Sequence, residues 1–230
     1  KSMPLKSLFL STMLVLSSMF ALNIFVQWLG LDDNMEVLFG DIAHNILGVI
    51  TISLIAPLLE EVLFRGAIQG YMMRRYNPWT AIVCAALIFG VTHMNPVQIV
   101  YAALIGVIFG WIYYRTGSLL SVIVGHVLNN SMAAVTLLFF PESKTLPMPE
   151  GLSSEAQVAS EVVAFLFFAA LSVYFAHFTS APADAINTYA CFFATPANYE
   201  KATSIGYMGY LIMAVILGLL IKLLYAGWSN

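Results

Sequence analysis

Residues 57–66 read Pro57-Leu58-Leu59-Glu60-Glu61-Val62-Leu63-Phe64-Arg65-Gly66, three ionisable side chains inside an apolar run that covers 43–60 and continues to 75. An ionisable group within a bilayer costs roughly 2.5 to 3.5 kcal/mol on insertion scales, so three of them on one hydrophobic segment need a reason. Glu61 and Arg65 stand four residues apart, which stacks them on one helical face where each offsets the other's desolvation. Glu60 is turned about 100° from Glu61 and cannot share that pairing equally. The spacing therefore leaves one neutralised carboxylate and one spare, and a spare carboxylate in a low-dielectric setting is a candidate general base. A buried triad that merely fixes helix packing, or a helix end dipping into water, accounts for the same pattern. On this stretch alone those readings stand level with a functional one.

Outward from this helix the chain is apolar throughout. Of 230 residues 60% are hydrophobic and 9% charged, with 9 Lys+Arg against 12 Asp+Glu, and mean hydropathy is +0.87. Soluble domains carry about a quarter charged residues, so this composition belongs to a membrane protein. The basic residues are too few and too scattered for a cationic footprint, which excludes a nucleic-acid partner. Cys84 and Cys191 form neither a disulfide framework nor a metal-type spacing.

With about 20 apolar residues needed per span, seven segments qualify: 7–29, 43–60, 79–94, 97–114, 118–140, 158–179 and 204–226. The fold class is all-α, a polytopic integral-membrane helical bundle of about seven transmembrane helices in a single domain, 1–230. Lys1 and Lys6 precede the first segment as in a signal peptide, but its apolar run continues to Trp28 without a small-residue cleavage site, so it reads as a retained span. Asn77-Pro78 and Asn95-Pro96 each set a capping side chain before a proline at the first helical position, marking two tight helix-to-helix turns. Trp28, Trp79, Trp111 with Tyr113 and Tyr114, and Trp228 fall near span ends, as an interfacial aromatic belt would. Pro141–Gln157 and Ser180–Thr203 read as extramembrane loops, the second at the interface.

Threading the spans alternately puts Lys1, Lys6, Arg74, Arg75, Arg115 and Lys201 on one side. Asp32, Asp33, Glu36, Asp41, Glu142, Glu150 and Glu155 then lie on the other. The positive-inside rule makes the amino terminus cytoplasmic.

Two further apolar helices carry polar groups. His93 closes the third segment, four residues after Phe89, and His126 precedes Asn130 by four on one face of the fifth. Singly, a histidine or an asparagine in a span is usually interhelical hydrogen-bonding glue. Three neighbouring helices bringing such groups to similar depth supply a base, a second proton-handling group and two donors, which is what hydrolysis needs. Gly66 with Gly70, and Gly106 with Gly110, are small-xxx-small pairs that permit close helix approach. His44 and His177 have no partner motif and receive no role.

Glu60-Glu61-x-x-x-Arg65, Phe89-x-x-x-His93 and His126-x-x-x-Asn130, in that order on apolar helices, resemble the CPBP family of CAAX proteases and bacteriocin-processing enzymes, also called Abi. The resemblance covers roughly residues 40–140, and three motifs in order are specific where any one is weak. It implies an intramembrane endopeptidase related to the type II CAAX prenyl protease, acting on a membrane-associated peptide or lipidated carboxyl terminus. Carried over by position, Glu60 and His93 would activate the hydrolytic water, and His126 and Asn130 would donate to the oxyanion. Glu61 with Arg65 would hold the helix and keep Glu60 aimed.

Two His and a Glu are also a normal catalytic zinc set, so a zinc-dependent version of the same protease is an alternative. The metal-free glutamate mechanism is favoured because His126-x-x-x-Asn130 places an oxyanion donor beside a histidine and no His-Glu-x-x-His helix exists. A non-catalytic immunity or scaffold protein of the same fold is the rival from another class. A transporter ranks last, since Pro57 could break the second helix but no second half mirrors it.

Overall fold

The computed structural model describes residues 5–31, 45–139 and 153–179, and these form six helices with no strand among them. They are α1 (Leu5–Trp28), α2 (Ile46–Met72), α3 (Pro78–Val91), α4 (Pro96–Thr116), α5 (Leu119–Phe139) and α6 (Ser154–Phe178). All except α3 are long and apolar enough to cross a membrane, and α3 has 14 residues. The all-α membrane bundle expected from the sequence is the architecture found. The seventh expected span, 204–226, lies outside the described residues, as do His44, Cys191, Trp228 and the acidic stretch 32–41.

Both asparagine-proline turns are built as the sequence indicates. Asn77 Oδ1 accepts the Thr80 N–H at 2.9 Å and starts α3, and Asn95 Oδ1 accepts the Gln98 N–H at 3.1 Å and starts α4. In each case the side chain satisfies an amide left orphaned at a helix start, and the proline that follows has no amide to leave unpaired. The α6 helix begins four residues earlier than the sequence reading of 158. Ser153 Oγ accepts the Ala156 N–H at 3.3 Å, and Glu155 sits in the first turn, where the helix dipole favours an anion.

Helix α2 is not uniformly wound. Wider π turns at Thr51–Ile55 and Val62–Gln69 alternate with α-helical Ile46–Ile50, Ala56–Glu61 and Gly70–Met72. Pro57 accounts for a consequence of the first π turn. The Ala56 N–H bonds the Thr51 carbonyl, five residues back, and in the same register the Ile52 carbonyl would take a donor that Pro57 lacks. The proline thus leaves a carbonyl free without breaking the helix. Such π turns concentrate at functional sites.

Helix α1 packs on α4, α5 and α6, α3 lies along α4, and α2 meets α3 and α5. The largest core cluster joins Leu14 and Val15 of α1, Ile105, Phe109, Ile112 and Tyr113 of α4, and Val122 of α5. Tyr113, expected in the aromatic belt, is therefore a core residue, because its helix face is covered by its neighbours. Trp28 and Trp79 are exposed at helix ends as expected. Ser18 and Ser17 each hydrogen-bond Ser172 across α1 and α6, and Trp28 Nε1 donates to Glu161 Oε2 at 2.9 Å.

Of the two small-residue pairs, Gly106 and Gly110 mark the close approach. A Cβ at Gly110 would lie 2.7 Å from Gln69 Oε1 and 3.0 Å from Ile82 Cγ2. Gly66 and Gly70 have nothing nearer than 3.5 Å to such an atom, so they offer no comparable seam.

Candidate active site

The α2 residues Glu61, Arg65 and Gln69 recur every four positions, and all three are fully buried, at 0%, 1% and 0% exposure. Arg65 Nη1 donates to Glu61 Oε1 at 2.8 Å, the pair expected from the spacing. Its Nη2 donates to the Gly106 carbonyl at 3.1 Å, and one turn on Gln69 Nε2 donates to the Gly110 carbonyl at 2.9 Å. The glycines of α4 thus expose two carbonyls to two α2 side chains. The guanidinium also lies 4.6 Å from the Phe89 ring centroid and 5.2 Å from that of Phe109, so its faces meet aromatic π clouds while its edge is hydrogen-bonded.

Helix α5 delivers His126 into this cluster. Its Nδ1 donates to Glu61 Oε1 at 2.7 Å, and its Nε2 lies 3.6 Å from Glu60 Oε2. One oxygen of Glu61 therefore takes both Arg65 and His126, while Glu60 Oε2 and Glu61 Oε2 have no hydrogen-bond partner among the described residues. Glu60 is 30% exposed at its side chain, whereas Glu61 is closed off. The two adjacent carboxylates differ: Glu61 is fully buried and held through one oxygen by Arg65 and His126, whereas Glu60 is part-exposed and approached only by His126 Nε2 at 3.6 Å.

His93 arrives from the end of α3. The helix stops at Val91 and the His93 amide turns to the Gly90 carbonyl, so the Phe89 carbonyl is released to Thr92 Oγ1 at 2.7 Å and His93 Nδ1 at 2.9 Å. A carbonyl can only accept, which puts the imidazole proton on Nδ1 and the lone pair on Nε2. Met94, the next residue, takes a left-handed φ of 53°, the turn that lets Asn95 cap α4. The Phe89 ring lies edge-on to both histidines, 4.9 Å from His93 and 5.8 Å from His126 between centroids. Phe89 thereby joins the two imidazoles and Arg65 in one cluster.

Asn130, one turn beyond His126, donates from Nδ2 to the Ile52 carbonyl at 3.0 Å, the group that Pro57 leaves without a helical donor. Its Oδ1 accepts from Asn129 Nδ2 at 3.1 Å, and Asn129 Oδ1 in turn accepts from the Tyr101 hydroxyl. Sequence reasoning passed over Tyr101, Asn129, Gln69 and the Ile52 carbonyl. Only Gln69 carried a signal, its four-residue step from Arg65. Among the described residues no three His, Cys, Asp or Glu side chains converge as a metal-binding set.

Glu60, Glu61, Arg65 and His126 thus meet directly, His93 joins through Phe89, and Asn130 stands on the same helix as His126, held to α2. Carboxylate, imidazole and amide groups are thus gathered between apolar helices. Residues 42–132 match the family model described as Type II CAAX prenyl endopeptidase Rce1-like. A Bacillus subtilis (strain 168) protein named "Putative membrane peptidase YdiL" is 26% identical over 106 residues, 46% of this chain and 43% of that protein. The chain thus spans under half the length of the curated relative it matches. No solved structure matches. The segment that holds the clustered residues is thus similar to that family over 42–132, and five of the described helices are long and apolar enough to cross a membrane, as in an integral, multi-pass membrane protein.

Proposed function

We propose that this protein is an intramembrane endopeptidase of the CAAX type that hydrolyses a peptide bond in a membrane-associated or lipidated substrate without a metal ion. The observation that carries the reading is the asymmetry of the two glutamates: Glu61 is fully buried and committed through one oxygen to Arg65 and His126, while Glu60 is 30% exposed and sets an unpartnered oxygen 3.6 Å from His126 Nε2.

In this mechanism Glu60 takes a proton from water as the oxygen attacks the scissile carbonyl, and His93 orients that water through its Nε2 lone pair. The carbonyl becomes a tetrahedral oxyanion, which accepts hydrogen bonds from His126 Nε2–H and from the second N–H of Asn130. Because the His126 Nδ1–H stays on Glu61, donation from Nε2 requires both ring protons, and the flanking carboxylates compensate that charge. The proton on Glu60 then passes to the leaving amine as the C–N bond breaks. Arg65 holds Glu61 in place, so that Glu60 and His126 hold their spacing. The amino terminus faces the cytoplasm, by the distribution of Lys and Arg over the expected spans.

The reading is tested with detergent-purified protein and a quenched peptide ending in a prenylated tetrapeptide tail, with and without a zinc chelator. Cleavage that survives chelation supports the metal-free mechanism. Activity lost on chelation and restored by zinc would replace it with the metal-dependent one. Absence of cleavage across prenylated and unlipidated peptide libraries, with folded protein, would favour the non-catalytic scaffold.

A further inference from the structure

A chain of side-chain hydrogen bonds crosses the bundle and ends on Asn130. It runs from the Tyr101 hydroxyl of α4 to Asn129 Oδ1, from Asn129 Nδ2 to Asn130 Oδ1, and from Asn130 Nδ2 to the Ile52 carbonyl of α2. Three helices are linked, and Asn129 is 8% exposed.

The Ile52 end of the chain imposes one direction on it. An asparagine side chain has nearly the same shape either way round, so only its partners decide which end presents N–H. The Ile52 carbonyl has no helical donor, because Pro57 lacks the amide, and it can face only the NH2 end of Asn130. Asn130 Oδ1 must then point at a donor, and Asn129 supplies its NH2. That orientation turns Asn129 Oδ1 toward Tyr101, whose hydroxyl can donate. Each group is satisfied in this direction, and reversing any amide sets carbonyl against carbonyl or N–H against N–H.

We infer that Tyr101 and Asn129 are positioning residues for the Asn130 amide, holding its NH2 end toward the site so that one N–H stays on Ile52 and the other is free for the oxyanion. This rests on the reading of Asn130 as an oxyanion donor. Pro57 is the counterpart on the opposite side, since it keeps the Ile52 carbonyl available to Asn130. Preorganisation of this kind matters because a donor that must reorient as charge develops loses much of its value.

The test compares Tyr101→Phe, Asn129→Asp and Asn130→Ala in the full-length protein, by cleavage kinetics and by the side-chain amide resonances of 15N-asparagine-labelled protein in detergent. A carboxylate at position 129 has no N–H for Asn130 Oδ1 and attracts the NH2 end instead, reversing the amide. Asn129→Asp is expected to lower kcat about 100-fold, the scale of losing one oxyanion donor, with KM unchanged. Tyr101→Phe, which keeps the ring, is expected to lower kcat several-fold and shift the Asn130 amide resonance. Neither change is expected to lower kcat further when Asn130 is already replaced by alanine, because coupled residues are not additive. Wild-type kcat in Asn129→Asp, or losses that multiply with that of Asn130→Ala, would overturn the relay. Full kcat in Asn130→Ala would sink the oxyanion reading by itself. The resonance then decides the relay: a shift in Tyr101→Phe upholds it and an unmoved resonance overturns it.

Discussion

His126 Nδ1 lies 2.7 Å from Glu61 Oε1, and the oxygen that accepts it also accepts Arg65 Nη1 at 2.8 Å. That shared oxygen ties α5 to α2 and leaves the neighbouring, part-exposed Glu60 as the carboxylate not held by Arg65. Stability and proposed chemistry therefore depend on different members of one pair.

Arg65→Met is expected to be strongly destabilising. It leaves the Glu61 carboxylate buried with half its donors and removes the second hydrogen bond to the Gly106 carbonyl, and breaking a buried pair costs about 3–5 kcal/mol. Arg65→Lys restores the charge but has no planar fork to reach Glu61 and Gly106 together, and recovers only part of the loss. Thermal unfolding in detergent reads both, and a Met variant as stable as wild type would contradict the cluster's structural role.

Glycine substitutions separate the two small-residue pairs. Gly110→Ala places a methyl 2.7 Å from Gln69 Oε1, and overpacking of this kind costs about 1–3 kcal/mol. Gly66→Ala meets nothing closer than 3.5 Å and gains about 1 kcal/mol of helix propensity, so it is neutral or stabilising. Paired unfolding midpoints give the order, and equal effects at both positions would be inconsistent with the packing described.

The cap at Asn95 serves a helix and a site at once. Asn95→Ala removes the acceptor for the Gln98 amide, a loss of about 1 kcal/mol, and loosens the turn two residues after His93. Asn77→Ala loses a similar cap at the other end of α3, away from the cluster. Both are expected to lower the unfolding midpoint comparably, while only Asn95→Ala lowers cleavage by more than the fraction unfolded. Equal cleavage per folded molecule would remove Asn95 from the account.

What the sequence made legible follows from the range of each interaction. The Glu61–Arg65 pair and both asparagine caps are local, set by steps of three or four residues, and the structure builds them as the spacing predicts. His126 bonds an acceptor 65 positions away and Asn130 one 78 positions away, so no local pattern selects Glu61 Oε1 or the Ile52 carbonyl as their partners. Pro57 was legible as a potential helix break, but its effect, a carbonyl freed for a side chain of another helix, needs the packing of α5 on α2. Tyr113 and Trp111 look alike as interfacial aromatics in sequence, and only the neighbours of α4 make Tyr113 core.

Glu60→Gln tests the central claim most directly, because the amide keeps the size of the side chain and removes only its capacity to take a proton. Single-turnover cleavage of a substrate accepted by the wild-type protein, with folding checked by unfolding midpoint, is the measurement. The account predicts that the Glu60→Gln protein folds and that its cleavage rate falls by at least about 100-fold, the scale of general-base catalysis. A folded variant that cleaves at the wild-type rate would contradict it.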